Sequence, residues 1–152
     1  MRRLVPPRRL ALIAAVFLAA CHAREPEPIV LTEDQCGYCR MTIADARFGG
    51  EAILPTGRVK KFDSAECLAA WARSTPAGQR GDVFVIDLQH PGTFVPAATA
   101  GFLKDAMLKS PMGGSMLGFA DTARAEQQRT VLGGRVMTWA QLLADSGTAG
   151  MP

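Results

Sequence analysis

Residues 48–54 carry a strand-like run, 59–62 continue it with apolar residues Val59 and Phe62 around two lysines, and Pro55-Thr56-Gly57 between them has turn chemistry, so the pattern predicts a β-hairpin. Asp63, followed three residues later by Glu66, has the spacing of a capping box and predicts a helix from there to about Arg73, stopping before Pro76. Residues 82–88 (DVFVIDL), bounded by Gly81 and His90-Pro91-Gly92, predict a strand. The first half therefore reads β-β-α-β. The second half is a fainter echo, with strands at 93–95 and 115–119, a helix at 121–129 capped by Asp121, and a final unit of Val136 and residues 138–144 in which Thr138 and Gln141 have capping-box spacing. Gly57-Arg58-Val59 and Gly134-Arg135-Val136 match and hint at an internal repeat. The expected class is α+β with mainly antiparallel sheet.

Ahead of this domain, an Arg-rich start and eleven apolar residues, 10–20, end at Cys21. That run is too short to span a bilayer as a helix and has the parts of a secretory signal. Leu18-Ala19-Ala20-Cys21 resembles the bacterial lipobox, in which the Cys is lipidated and becomes the first mature residue. The expected division is a lipoprotein signal at 1–20, a charged, Pro-interrupted tether at 21–28, a folded domain at 29–143, and a flexible tail at 144–152. Such an anchor places the domain in the periplasm on a bacterial membrane.

The 152-residue chain has a formal charge of +3, but Arg2, Arg3, Arg8 and Arg9 lie in the signal-like segment, and the rest carries 13 bases against 14 acids. A balanced chain with 7% aromatics has no basic face for phosphates and few rings for base stacking, which excludes a nucleic-acid partner. No catalytic constellation appears. A hydrolase triad would have to use His90 or His22, neither beside a nucleophile motif, and the Gly pairs at 49–50, 113–114 and 133–134 lack phosphate-loop spacing.

The chemistry lies in sulfur. Beyond Cys21 there are Cys36 and Cys39, spaced C-x-x-C, and Cys67. Two thiols at that spacing can grip one metal or close a redox disulfide. Against a thioredoxin-like oxidoreductase, the preceding Thr32-Glu33-Asp34-Gln35 is polar rather than an apolar strand, and no Pro separates the cysteines. A zinc-stabilised adaptor could take Cys36, Cys39, Cys67 and His90, but a second close pair is missing. Methionine tilts the balance: Met41 follows Cys39 by two residues, and Met107, Met112 and Met116 surround Pro111 and Gly113-Gly114. Thioether suits Cu(I) and not zinc. Met107 and Met116 read as core, whereas Met112 sits in a Pro-Met-Gly loop that no hydrophobic period explains. Cys67, early in the first helix, is either a third sulfur ligand or a small buried hydrophobe beside Leu68 and Trp71. His90 reads as a turn residue.

Asp34, Cys36, Cys39, Met41, Phe62-Asp63, Cys67, Ser110-Pro111-Met112-Gly113 and Gly118-Phe119-Ala120 together resemble NosL-type lipoproteins, copper chaperones associated with nitrous-oxide reductase maturation. The resemblance implies a protein that binds one Cu(I) and passes it to a copper enzyme, nitrous-oxide reductase or another periplasmic cuproprotein. It also implies two ββαβ-like halves related to the organomercurial lyase fold, whose relatives keep an acid near the thiols, a place Asp63 or Asp105 would fill. The family's Cys-Gly-Met motif falls on Cys39 and Met41, with Arg40 in place of the Gly, and its Met-Gly loop falls on Met112 and Gly113. The candidate copper ligands are Cys36, Cys39, Met41, Cys67 and Met112, with Cys21 the lipid attachment.

Overall fold

The computed structural model describes residues 24–145; Cys21, His22 and the chain beyond residue 145 lie outside the described residues. The first half holds β1 (Gly50–Ile53), β2 (Val59–Phe62), helix α1 (Ala65–Ser74), a short α2 (Ala77–Arg80), β3 (Asp82–Ile86) and β4 (Phe94–Pro96). The second holds β5 (Gly101–Lys104), β6 (Leu117–Phe119), α3 (Thr122–Leu132), β7 (Arg135–Thr138) and α4 (Trp139–Ala144). Two antiparallel sheets result, ordered β2-β1-β3-β4 and β6-β5-β7. Each half thus repeats one plan: a hairpin, a helix, and a return strand beside the hairpin's first strand.

The expected hairpin forms with Ile53 opposite Val59, and Gly57 takes φ +84°, the left-handed turn conformation that glycine adopts without strain. Phe48, expected in the strand, instead closes a 3-10 turn, Ala46–Phe48, because Asp45 accepts a hydrogen bond from the Arg47 amide and starts a turn there. The caps of the last two helices are as expected: Asp121 accepts from the Arg124 amide, and Thr138 and Gln141 form a reciprocal capping box.

Two elements are absent from the sequence reading. One is α2. The other is β5, the central strand of the second sheet, whose four buried residues Gly-Phe-Leu-Lys show no alternation. Its register is set by close approach, since a Cβ at Gly101 would collide with the Asp121 carbonyl oxygen at the α3 cap. The matching tripeptides are not the trace of the repeat. Gly57-Arg58-Val59 leads from the hairpin turn into β2 of the first half, and Gly134-Arg135-Val136 leads from α3 into β7 of the second, which are not equivalent strands of the shared plan.

Residues 24–28, at the end of the expected tether, lie against the first sheet. Arg24 donates to the carbonyls of Leu54 and Pro55, the Glu27 amide donates to Glu51, and Lys61 donates to the Pro28 carbonyl. Glu51 is fully buried, and burial raises its pKa. No helix among the described residues is long and apolar enough to cross a membrane.

Helix α1 is the spine of the main core. All eight residues from Ala65 to Ala72 are buried, and four of them are alanines that let the sheet and α4 approach closely. Phe62 at the end of β2 packs on Trp71 of α1, ring centroids 5.2 Å apart. This contact fixes where β2 ends and the helix begins, and the site lies at that junction.

Candidate metal centre

Residues 30–43 form a tongue hydrogen-bonded across itself. Thr32 and Ile43 pair at its base, Gln35 and Thr42 form a bridge, and near the tip the Cys36 amide donates to the Met41 carbonyl at 2.8 Å. The Arg40 amide returns to the Cys36 carbonyl, so the C-x-x-C segment curls into one tight turn. Closing that turn holds Arg40 at φ +67°, where a side chain other than glycine's is strained.

The tongue is fastened at two points. Asp34 accepts from the Val30 amide and from the Lys61 ammonium, at 2.7 and 2.8 Å, and the Gly37 amide donates to the Lys61 carbonyl of β2. Burial would raise the Asp34 carboxyl, but Lys61 and the Val30 amide outweigh it and hold the pKa below the usual range.

The second half of the site comes from the start of α1. Here the structure corrects the expected cap: Ser64, not Asp63, occupies the N-cap, and its hydroxyl accepts from the Cys67 amide. Glu66 is not the partner in a capping box, being buried and turned to another task described below. Relieved of capping, the Asp63 carboxylate faces the tongue. The sulfurs of Cys36, Cys39 and Cys67 and a carboxylate oxygen of Asp63 all lie within 4.8 Å of one another. The Cys39 thiol donates to Asp63 Oδ2 at 3.7 Å, while Oδ1 is buried with no hydrogen-bond partner. A buried carboxylate oxygen without a donor is costly unless a cation completes it, so this atom fits a ligand better than a structural strut.

All three cysteines are free thiols. Cys36 and Cys67 are fully buried, and Cys39 is partly exposed and forms the mouth. Cys67 donates to Cys36 and so lowers the Cys36 pKa to about 6, against its burial and with help from the Asp63, Tyr38 and Cys39 amides. The same hydrogen bond, with burial and the negative charges of Cys36 and Asp63, raises Cys67 far above the ordinary thiol range. Burial, followed by the influence of Cys36 and Asp63, raises Cys39. At neutral pH the pair therefore shares one proton, with Cys36 a ready thiolate and Cys67 a proton that metal binding would release.

The methionines divide. Met112 is partly buried and packs on the core cluster that contains Cys36 and Cys67. Its loop is held by Glu66, whose Oε1 accepts from the Ser110 hydroxyl at 2.8 Å and the Met116 amide at 2.9 Å. Gly114 is required there because a Cβ would run into that carboxylate oxygen. Met116 is core, as expected, but Met107 is 71% exposed and corrects the reading of it as core. Met41 is 57% exposed. His90 pairs with Asp87 in a turn, and Asp105 pairs with Arg135; neither joins the thiols.

The structure thus brings Cys36, Cys39 and Cys67 together with Asp63, which takes the place near the thiols that the family resemblance offered to it or to Asp105. The sequence did contain a signal for Asp63: a serine directly after it, three residues before Cys67, offers a second cap and leaves the acid free. Three sulfurs and one carboxylate make a predominantly soft donor set for a closed-shell ion. Its position at the N-terminus of α1 favours anionic ligands, since the helix dipole stabilises negative charge there.

The family model of NosL matches residues 28–146. The copper-binding lipoprotein NosL of Stutzerimonas stutzeri is 30% identical over 148 residues, which cover 88% of this chain and 77% of that protein. The crystal structure of the copper chaperone NosL from Shewanella denitrificans matches with a TM-score of 0.69 at 23% identity, covering 77% of this chain and 94% of that one, and shows that the fold is shared. Both relatives are named for handling copper and not for a catalysed reaction.

Proposed function

The chain belongs to the NosL family, and on that premise we propose that it is a lipoprotein, anchored in the periplasm through Cys21, that holds one Cu(I) and delivers it to a copper enzyme such as nitrous-oxide reductase. The observation that carries this reading is the convergence of three free thiols from two separate segments with the Asp63 carboxylate, whose Oδ1 is buried without a hydrogen-bond partner. Cys36, Cys39 and Cys67 are the inner sulfur ligands, with Asp63 at the same centre. Met41 at the rim and Met112 on the loop held by Glu66 are the outer thioethers that the ion meets on entering and leaving.

Cu(I) accepts low coordination numbers, so an incoming ligand can join the ion before one of the chaperone's own ligands departs. Transfer then needs no free ion. Met112, on a loop flanked by Gly113, is the natural ligand to release first. The thiols bind only when reduced, so a disulfide between Cys36 and either neighbour would disable the site.

The low Cys36 pKa also suits thiol-disulfide exchange. Complete burial of Cys36 argues against it, because an attacking thiolate must reach its substrate. Anaerobic titration of the reduced protein with Cu(I) against a small competing chelator, run beside an insulin-reduction assay, tests the choice. One tightly held Cu(I) without reductase activity is expected. Reductase activity without copper retention would overturn the reading, and zinc retained through purification would favour a zinc-stabilised adaptor.

A further inference from the structure

We propose that the exposed part of the tongue, which carries Leu31, Tyr38, Arg40 and Met41 and has Lys60 of β2 beside it, is a docking surface for an acidic protein that exchanges copper with this site. The inference rests on the copper-delivery reading and adds the kind of partner. Four of the large hydrophobic side chains exposed among the described residues fall within twelve positions of one another: Val30 and Leu31 at 46%, Tyr38 at 37% and Met41 at 57%. Single exposed apolar residues are ordinary, but four on the one short segment that carries two of the clustered thiols point to an interaction surface.

Charge beside this cluster selects the partner. Arg40 is exposed and held in a left-handed backbone conformation that a glycine would adopt without strain. A strained arginine between two candidate ligands is explained if its guanidinium has a use. Beside the tongue runs a groove of about 330 Å³ lined by Arg40, Arg58, Lys60 and Lys61 against Glu27 and Asp34. Lys61 and Asp34 neutralise each other, and Arg40, Arg58 and Lys60 have no ion pair among the described residues. The groove therefore presents three bases and one acid.

A second copy of this chain would bring the same basic face against it, and like charges oppose such a contact. A membrane fits less well than a protein. A membrane supplies anionic headgroups and an apolar interior but no copper ligand for the mouth that the partly exposed Cys39 forms. A protein with carboxylates and apolar groups around its own copper ligands satisfies both features.

The probe is a fluorescent Cys-x-x-Cys peptide flanked by Leu and Glu, with a counterpart carrying Lys for Glu. Copper-loaded protein should transfer Cu(I) to the Glu peptide at least ~10-fold faster than to the Lys peptide at low salt, and the ratio should shrink as salt rises. Arg40→Glu with Lys60→Glu should abolish the ratio. Leu31→Ser with Tyr38→Ser should slow the Glu peptide several-fold, while transfer to a small chelator stays fast and unfolding temperature holds. Anisotropy of the peptides on metal-free protein tests docking even if copper does not load, a result that would defeat the functional reading alone. Equal peptide rates, or a preference that survives the charge reversals, would overturn the proposal. So would a dimer dissolved by the same variants, or charge-dependent binding to phosphatidylglycerol vesicles without peptide discrimination.

Discussion

The two halves of the molecule share a plan and differ at one turn. In the second half β6 leads to Asp121, whose carboxylate caps α3 through the Arg124 amide. In the first half β2 leads to Asp63, but the cap is the next residue, Ser64, which holds the Cys67 amide. Cys67 and Arg124 therefore occupy the same position, three residues past their caps. Helix α3 buries only Ala125 and lies on the surface, while α1 is sunk into the core with Cys67 at 0% exposure. Moving the capping duty by one residue frees an acid for the thiols, and sinking the helix gives those thiols a low-dielectric setting in which one proton is shared. A structural turn in one half becomes a candidate metal centre in the other.

Substituting equivalent positions in the two halves separates these roles. The largest effect is expected at Cys67. If a tetrahedral site is worth on the order of 12 kcal/mol, one sulfur contributes roughly 3, so Cys67→Ala should weaken Cu(I) binding by about 100-fold in chelator competition. Arg124→Ala should change neither copper affinity nor stability by more than about 0.5 kcal/mol. Equal behaviour of the two variants would break the comparison.

Next come the acids. Asp63→Asn keeps the shape and removes the charge, and should cost ~10-fold or more in copper affinity, whereas Asp121→Asn leaves a good cap and should be silent in both copper titration and thermal unfolding. The caps themselves are the finer test. Ser64→Ala and Asp121→Ala should each cost about 1 kcal/mol of stability, but only Ser64→Ala should also weaken copper binding, because its loss frees the Cys67 amide.

Titration gives the smallest and most specific signal. The ultraviolet thiolate absorbance of metal-free protein should appear near pH 6 and move to about 8.5 in Cys67→Ala, since the donor that lowers Cys36 is gone. The folded state releases the Cys36 proton earlier than the unfolded chain, so stability should climb from pH 6 to about 8.5. Above that, unfolded chains lose the Cys67 proton that the folded state retains, so stability should fall. A flat profile would mean that the two thiols do not share a proton.

Local chemistry was legible where a few neighbouring residues decide it. The hairpin around Gly57, the Asp121 cap and the Thr138–Gln141 box follow from residues at most four apart. Strand β5 was not legible because all four of its residues are buried, so no alternation marks a face, and its Gly101 exists for a contact with the α3 cap twenty residues on. Asp63 was misassigned as a cap because two adjacent residues both satisfy the local rule, and only the packing of Phe62 on Trp71 decides which one meets the helix.

By itself the sequence determined that Cys36 and Cys39 can share a metal, that soft ligands are plentiful, and that the chain is α+β with mainly antiparallel sheet, because each of these depends on residue types and their spacing along the backbone. Only the tertiary structure decided that Cys67 lies beside Cys36 and Cys39, that Asp63 and not Asp105 is the acid near them, and that Met41 stays at the surface. Cys36 and Cys67 are 31 residues apart, and their meeting depends on the β1–β2 register and the burial of α1. Those are set by the free energy of the whole core, which no short stretch of residues contains.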